Sequence, residues 1–129
     1  KVEWCGWFSG DEKFSFLSSI DVLTLTSYNE NFANVVLESL LARTPVLLSK
    51  QVGLADFVEE NNLGWVCELT VSSIVEKLNH IYQHQENIDI ISRRSPEVIK
   101  KNFNRVHLGY QYSDIYEQYS EANSKQKAI

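Results

Sequence analysis

The sequence has no methionine and only two cysteines among its 129 residues. Cys5 and Cys67 stand alone, without Cys-x-x-Cys spacing or a nearby histidine, so nothing in the pattern indicates zinc binding or redox chemistry. Isolated thiols that stay reduced are typical of an intracellular compartment, where disulfides are rare. We therefore expect two reduced, partly buried thiols in a cytoplasmic protein without a metal site.

Long apolar runs and a basic excess are absent as well. No apolar run approaches the roughly 18 residues that cross a bilayer, so the sequence predicts a soluble chain. A peripheral attachment to a membrane would come from a part of the protein outside this sequence. The 17 acidic residues outnumber the 12 basic ones and leave a formal net charge of −5. Because nucleic-acid phosphates call for a basic face, this balance argues against a nucleic-acid partner.

The length and the first residues indicate one domain that belongs to something longer. The 129 residues, 43% of them apolar, can bury one modest core but not two. The chain begins at Lys1 and runs straight into an apparent strand over residues 2–5, so we expect it to be a piece of a longer protein. We assign the domain to residues 1–119 and expect residues 120–129, which are mostly polar, to form a frayed tail.

Short β-type runs alternate with helical patterns along the first two thirds of the chain. After residues 2–5, strands are predicted over 22–26, 46–49 and 65–67. Apolar strands separated by helices predict an α/β fold, in which a parallel sheet is covered by helices on both faces. The β signal then ends, and the C-terminal third is predicted to be all helical. The predicted helices span residues 11–19, 34–42, 54–60, 71–84, 87–101 and 105–120.

The segment 27–38, Ser-Tyr-Asn-Glu-Asn-Phe-Ala-Asn-Val-Val-Leu-Glu, joins a predicted strand end to a helix start. Ligands of parallel α/β sheets bind at the carboxyl ends of the strands. The amides of residues 32–36 would lie at the helix start, where unpaired N–H groups and the helix dipole favour a diphosphate. Glu30 and Glu38 flank these amides, and a carboxylate that accepts two hydroxyls suits the vicinal diol of a sugar or ribose.

Glu30 and Glu38 also form an E-x7-E motif. With the residues around it, the motif resembles the C-terminal, donor-binding domain of the family 4 (group 1) retaining glycosyltransferases of the GT-B fold, which is a parallel, Rossmann-like domain. The motif alone is a weak signal, but the order and spacing of its surroundings agree over residues 2–119. The surrounding features are Gly6, Lys13, Asp21-Val22, Pro45-Val46, Gly53 with Asp56, and Gly64.

The resemblance implies a role for each residue of the site. Glu38 binds the ribose hydroxyls, and Glu30 contacts the donor sugar and is the catalytic residue. The amides of residues 32–35 hold the sugar and the distal phosphate, and the turn formed by residues 6–9 lies against the base. The implied donor-binding set is Ser27, Glu30, Asn31, Phe32, Ala33, Asn34, Val35 and Glu38, and the base-side set is Gly6, Trp7, Phe8 and Ser9.

The family's chemistry implies a UDP-, GDP- or ADP-linked sugar as donor, with no cofactor and no metal. The function expected from the resemblance is transfer of a hexose-type sugar from the nucleoside diphosphate to an acceptor, with retention. Two alternatives stay open: a non-catalytic binding or interaction module on the same scaffold, and a nucleotide-sugar epimerase. Asn31 and Asn34 could simply cap the helix, and core packing competes with base stacking for Trp7 and Phe8.

The sequence departs from the family pattern in several places. Ala33, Arg43 and Asp56 stand where the family usually has Gly, Gly and Glu. A left-handed cap at Arg43 would cost on the order of 1 kcal/mol. Nothing matches the Gly-Arg and Lys-Gly segment that supplies two cations for the diphosphate, and the N-terminal acceptor domain is missing. We therefore expect no turnover by the chain alone, and dimerisation through an exposed sheet edge.

Overall fold

The structure, a computed structural model, describes residues 1–104. The predicted helix 105–120 and the polar tail 120–129 lie outside the described residues. Residues 1–98 form one compact unit, and a second unit, 99–129, is described only as far as residue 104. The elements in chain order are α1 (Gly10–Leu17), β1 (Leu23–Leu25), α2 (Asn34–Leu41), β2 (Val46–Ser49), α3 (Ala55–Glu60), β3 (Gly64–Cys67), α4 (Val71–Gln83) and α5 (Glu86–Asn102).

Three parallel strands form the sheet in the order β1-β2-β3. Val46 pairs with Leu23 on one side and with Gly64 on the other, so β2 lies in the middle. All four residues of β2 are buried, as the continuous apolar run Val-Leu-Leu predicts for a strand covered on both faces. The predicted α/β class with a parallel sheet and flanking helices is confirmed.

The opening strand is the one predicted element that the structure contradicts. Residues 2–5 are not in a strand, and the side chains of Val2 and Trp4 are 85% and 95% exposed. A strand exists only where a neighbouring backbone supplies hydrogen-bond partners, and among residues 1–104 no strand borders this segment. Its apolar residues alone therefore do not make it a strand.

The other predicted elements occur within two residues of their predicted bounds as far as residue 102. The strand that the sequence predicts over residues 22–26 is β1, and it lies at an edge of the sheet. Among the described strands, only β2 pairs with it. Dimerisation through that open edge stays a prediction. The C-terminal third is helical as far as it is described, since α5 runs from Glu86 to Asn102.

Helix α2 ends in a left-handed turn at Arg43, whose φ is 69°. The Thr44 amide donates to the Ser39 carbonyl at 2.9 Å, and the Arg43 amide donates to the Leu40 carbonyl at 3.2 Å. These two bonds define a Schellman cap, whose left-handed position favours glycine. The sequence alone leaves the handedness of this cap open, and the structure shows that it is left-handed, with an arginine where the turn prefers glycine.

In the described part of the chain, no helix is both long and apolar enough to cross a lipid bilayer. Cys67 is buried, as expected, but Cys5 is exposed, which corrects the expectation of two partly buried thiols. Cys5 belongs to the opening segment, which pairs with no described strand and whose neighbouring residues are themselves exposed. Among these residues, no cluster of three or more histidine, cysteine or acidic side chains could hold a metal.

Candidate functional site

The loop of residues 26–33 begins where β1 ends and is anchored to the end of β2. The Ser27 amide donates to Ser49 Oγ at 3.0 Å, and the Ser49 hydroxyl donates back to the Ser27 carbonyl at 2.7 Å. Ser49 is fully buried at the last position of β2. Because buried polar groups need partners, these reciprocal bonds fix the point from which the loop departs.

A second loop, residues 50–53, holds the backbone at Glu30. Glu30 forms a parallel bridge with Val52, and the Gly53 amide donates to the Glu30 carbonyl at 2.7 Å. A β-carbon at Gly53 would lie 2.0 Å from the carbonyl oxygen of Asn31, a distance that no side chain tolerates. Gly53 is thus required for the two loops to meet, and their contact orients Glu30.

Helix α2 begins at Asn34, immediately after the loop. Its N-cap is Ala33, with φ −73° and ψ 88°, and no side chain caps the helix. Asn31 and Asn34 therefore do not serve as caps. The first-turn amides of Asn34 and Val35 have no partner within the helix, because the helix offers no carbonyl to them. Ala33 adopts a negative φ, so a methyl group at the position where the resemblance leads us to expect glycine causes no backbone strain.

Glu38 lies one turn into α2 and is paired with a lysine from another helix. Lys13 Nζ, on α1, donates to Glu38 Oε1 at 2.6 Å. The two side chains are 33% and 26% exposed, so the pair is partly buried but open to solvent. This lysine is 25 positions away in the sequence. In the sequence, Lys13 is only one feature of the family pattern, and no local signal predicts its contact with Glu38.

Buried hydroxyls fix the helix that carries Lys13. Thr44 Oγ1 donates to the Leu17 carbonyl at the end of α1 at 2.6 Å, and Ser39 Oγ donates to the Thr44 carbonyl at 2.9 Å. Leu17 is itself buried, and α1 packs on α2. The position of Lys13 opposite Glu38 therefore follows from the way α1 docks on the turn after α2.

The predicted base-side turn leads directly into α1. Gly6 has φ 77°, Phe8 stacks on Phe16 with 4.4 Å between ring centroids, and Trp7 is 92% exposed. Phe8 is therefore occupied by packing, whereas Trp7 is open to a ligand. Ser9 is the N-cap of α1 and accepts the Lys13 amide. Residues 6–9 therefore end one helical turn before Lys13, the lysine that is hydrogen-bonded to Glu38.

The Glu30 and Glu38 carboxylates differ in their surroundings. Glu38 is neutralised by Lys13, while among residues 1–104 Glu30 takes part in no ion pair. The candidate residues 27–38 thus lie at the carboxyl ends of β1 and β2, with an uncapped helix start between the two acids. This arrangement can accept hydroxyl groups at both ends and an anion in the middle.

Two other ionisable groups lie at the carboxyl end of the sheet. A hydrogen bond from Lys50 to Glu68 raises the pKa of the lysine, and burial raises the pKa of the Cys67 thiol. Lys50 is exposed, so its pair with Glu68 contributes little to stability. His80 on α4 and His84, the residue that follows the helix, have ring centroids 4.3 Å apart, and Nδ1 of His84 is hydrogen-bonded to the His80 carbonyl.

A cavity of about 320 Å³ that is partly open to solvent lies elsewhere, at the amino end of β1. Asp21 and Val22 line it together with Tyr82 of α4 and Asp89 of α5. Parallel sheets bind their ligands at the opposite, carboxyl end. We therefore base the site on residues 27–38, whose surface is open, rather than on this cavity.

Comparison with known sequences decides the family. The profile described as "Glycosyl transferases group 1" matches residues 1–109. The chain belongs to the group 1 glycosyltransferases. The resemblance found in the E-x7-E motif and its surroundings is thereby confirmed at the level of the family. A solved sucrose-phosphate synthase from Thermosynechococcus elongatus shares the fold, with a TM-score of 0.68 at 22% identity over 83% of this chain. The match confirms part of a GT-B domain.

Individual relatives of this glycosyltransferase chain are distant. An uncharacterised glycosyltransferase of Methanocaldococcus jannaschii is 26% identical over 130 residues, which cover all of this chain and 29% of the relative. The N-acetyl-α-D-glucosaminyl L-malate synthase of Bacillus anthracis is 22% identical over 107 residues, or 82% of this chain and 28% of that enzyme. The chain thus spans less than a third of the length of these relatives and 27% of the sucrose-phosphate synthase.

Proposed function

We propose that this chain is the donor-binding part of a glycosyltransferase that transfers a hexose-type sugar from a nucleoside diphosphate to an acceptor with retention. The observation that carries the proposal is the uncapped start of α2 between Glu30 and Glu38. The helix start offers backbone N–H donors that can bind a diphosphate. The carboxylates of Glu30 and Glu38, on either side of it, can bind the hydroxyl groups of a sugar and a ribose. The name of the Bacillus anthracis relative contains an N-acetylglucosaminyl group, in line with a hexose-type donor.

Glu38 accepts the ribose hydroxyls. Its position one turn into α2 puts it deeper than the helix start, and its partly buried side chain has a second oxygen, Oε2, besides the one bonded to Lys13. Removing the Glu38 carboxylate would leave the ribose hydroxyls of a bound nucleotide without acceptors. Unsatisfied hydroxyls cost more binding free energy than an average hydrogen bond contributes, so the affinity should fall clearly.

Glu30 faces the donor sugar. Its backbone is held on both sides by the 50–53 loop, so the carboxylate has a fixed base although it has no ion-pair partner among residues 1–104. An unpaired carboxylate on a rigid loop is ready to accept sugar hydroxyls without first breaking a salt bridge. The base rests against residues 6–9, where the exposed indole of Trp7 offers a face for stacking.

The leaving diphosphate is stabilised by the start of α2, with cations supplied from outside this chain. A helix start alone contributes about 1 to 2 kcal/mol to anion binding. Two cationic side chains add charge-assisted bonds that are individually stronger. We therefore propose that the chain binds its donor weakly and turns over only within a longer polypeptide that supplies these cations and the acceptor site.

Calorimetric titration of UDP, GDP and ADP, with and without an attached hexose, tests the proposal. The variant is Glu38→Ala, and the matched control is Glu76→Ala, which removes an exposed glutamate from α4. We expect one nucleotide to bind, with affinity at least tenfold lower for Glu38→Ala and unchanged for Glu76→Ala. If no nucleotide binds at about 10 mM, either to the chain or to the complete protein that contains it, the donor-site assignment is wrong.

A further inference from the structure

Lys13 is the cation that the fold brings to the ribose end of the site. Its Nζ is 2.6 Å from Glu38 Oε1, although 25 residues separate the two in sequence. We propose that Lys13 is a second ribose-recognition residue, which holds Glu38 in place and donates a hydrogen bond to a ribose hydroxyl, so that the pair selects nucleotides with an intact 2′,3′-diol. This inference rests on the proposed donor site and adds a residue and a specificity to it.

The chemistry of a diol explains why a pair of opposite charges recognises it better than a carboxylate alone. Each hydroxyl group donates one hydrogen bond and accepts others. A carboxylate only accepts and an ammonium group only donates, so together they satisfy both properties of adjacent hydroxyls. The ammonium group has three N–H donors and donates one to Glu38; no other acceptor for it is seen among residues 1–104, so two donors can serve a ligand.

The geometry lets the pair reach a ligand. Both side chains are partly exposed, at 33% for Lys13 and 26% for Glu38, so neither is sealed inside the core. The lysine is also held near the ring of Phe14, with 5.9 Å from Nζ to the ring centroid. Its helix is fixed by the bond from Thr44 to the Leu17 carbonyl. Lys13 therefore presents its ammonium group beside Glu38 before any ligand arrives.

Stabilisation of the fold alone does not explain why the Lys13–Glu38 ion pair is partly exposed. Ion pairs that stay open to solvent contribute little to folding, because water screens them and two long side chains lose freedom. The consequence of losing Lys13 should therefore appear in ligand selection more than in stability. Ribonucleoside diphosphates should bind about tenfold more tightly than their 2′-deoxy or 3′-deoxy forms, which lose one charge-assisted hydrogen bond.

The test compares the affinities of UDP, GDP and ADP and of their 2′-deoxy and 3′-deoxy forms by calorimetry, for the full chain and its variants. Lys13→Met removes the ammonium group, and Lys13→Arg and Lys13→Gln retain a donor. The control is Lys77→Met, which makes the same charge change on α4. Native circular dichroism spectra establish that each variant is folded, and Lys13→Ala, which also removes the donor, replaces Lys13→Met if the latter is not folded.

We expect Lys13→Met to weaken ribonucleotide binding about tenfold while the deoxy forms change less than about twofold, so that the preference disappears. Lys13→Arg should retain part of the preference for ribonucleotides, and Lys77→Met should retain all of it. Equal weakening of every nucleotide, or no change, would overturn the role of Lys13 while the donor site stands. A wild-type chain and complete protein that bind no nucleotide would overturn both proposals.

Discussion

A β-carbon on Gly53 would lie 2.0 Å from the carbonyl oxygen of Asn31, so the backbone of the Glu30 loop rests directly on residue 53. The Gly53 amide also bonds to the Glu30 carbonyl. Any side chain at position 53 would push the loop away and move Glu30. The acidic residue that we assign to the donor sugar therefore depends on a glycine that contributes no chemistry of its own.

Replacing Gly53 by alanine should both destabilise the fold and weaken donor binding. We expect the free energy of unfolding to fall by about 2 kcal/mol, because backbone atoms have to move apart. Urea denaturation and nucleotide titration measure the two effects. Gly10→Ala is the control: its β-carbon would meet nothing within 4 Å, so only the strain of its φ of 52° remains. Equal nucleotide affinity in wild type and Gly53→Ala would contradict this account of the loop.

Ser49→Ala should loosen the other end of the same loop. The substitution removes the hydroxyl that both accepts from the Ser27 amide and donates to the Ser27 carbonyl. We expect a loss of about 1 kcal/mol in the free energy of unfolding, because the partly buried backbone groups of Ser27 lose their partner. Ser18→Ala, at an exposed serine, should change stability by less than about 0.5 kcal/mol. Indistinguishable melting curves for the two variants would rule out Ser49 as the anchor.

Arg43→Gly should stabilise the protein. Arg43 has a left-handed φ of 69° in the Schellman cap of α2, a conformation that glycine adopts without steric cost. We expect a gain of about 1 kcal/mol in the free energy of unfolding, measured in urea. Arg93→Gly places glycine at an exposed position inside α5, where glycine is unfavourable, and should lower the free energy of unfolding by about 1 kcal/mol. Destabilisation by Arg43→Gly would mean that the arginine side chain makes a compensating contact.

The two cysteines should differ in reactivity. Cys5 is exposed, whereas burial raises the pKa of the Cys67 thiol. A thiol-specific reagent at neutral pH should therefore label Cys5 quickly and Cys67 only when the protein opens. The fold favours the neutral Cys67 thiol, so this stabilisation is complete below the ordinary thiol pKa and is lost as pH rises through the raised pKa. Above about pH 9, wild type should lose more stability than Cys67→Ala.

The sequence predicted most elements because their signals are local. The run Val46–Ser49 is apolar at three positions and is flanked by loops, and the structure has a strand there. At Arg43 the usual glycine of the motif raises the question of a left-handed cap without deciding it, and the structure has a left-handed φ there. The opening segment 2–5 has strand-like residues but lacks a pairing neighbour among the described residues, and pairing is a tertiary property that no local pattern contains.

The sequence revealed the residue types of the site but not how they are held. Glu30 and Glu38 were found from their spacing, and their assignment to a donor stays a prediction. The Lys13–Glu38 bond was missed because it depends on how α1 turns and packs on α2, which is set by buried groups such as Thr44. The roles of Ser49 and Gly53 in holding the Glu30 loop have only weak signals in the sequence. Ser49 is a serine at the end of an apolar strand, and Gly53 is a glycine in the loop that follows it.

The most direct measurement of the central claim is a two-dimensional ¹H–¹⁵N NMR titration of the chain with UDP, GDP and ADP. We predict that one nucleotide shifts the amide signals of residues 32–35 most, with smaller shifts at Lys13, Glu38 and residues 6–9. These are the amides at the start of α2 and the groups around it. Shifts confined to the cavity between Asp21 and Tyr82, or no shifts with any nucleotide at about 10 mM in the chain together with no binding to the complete protein that contains it, would contradict the donor site.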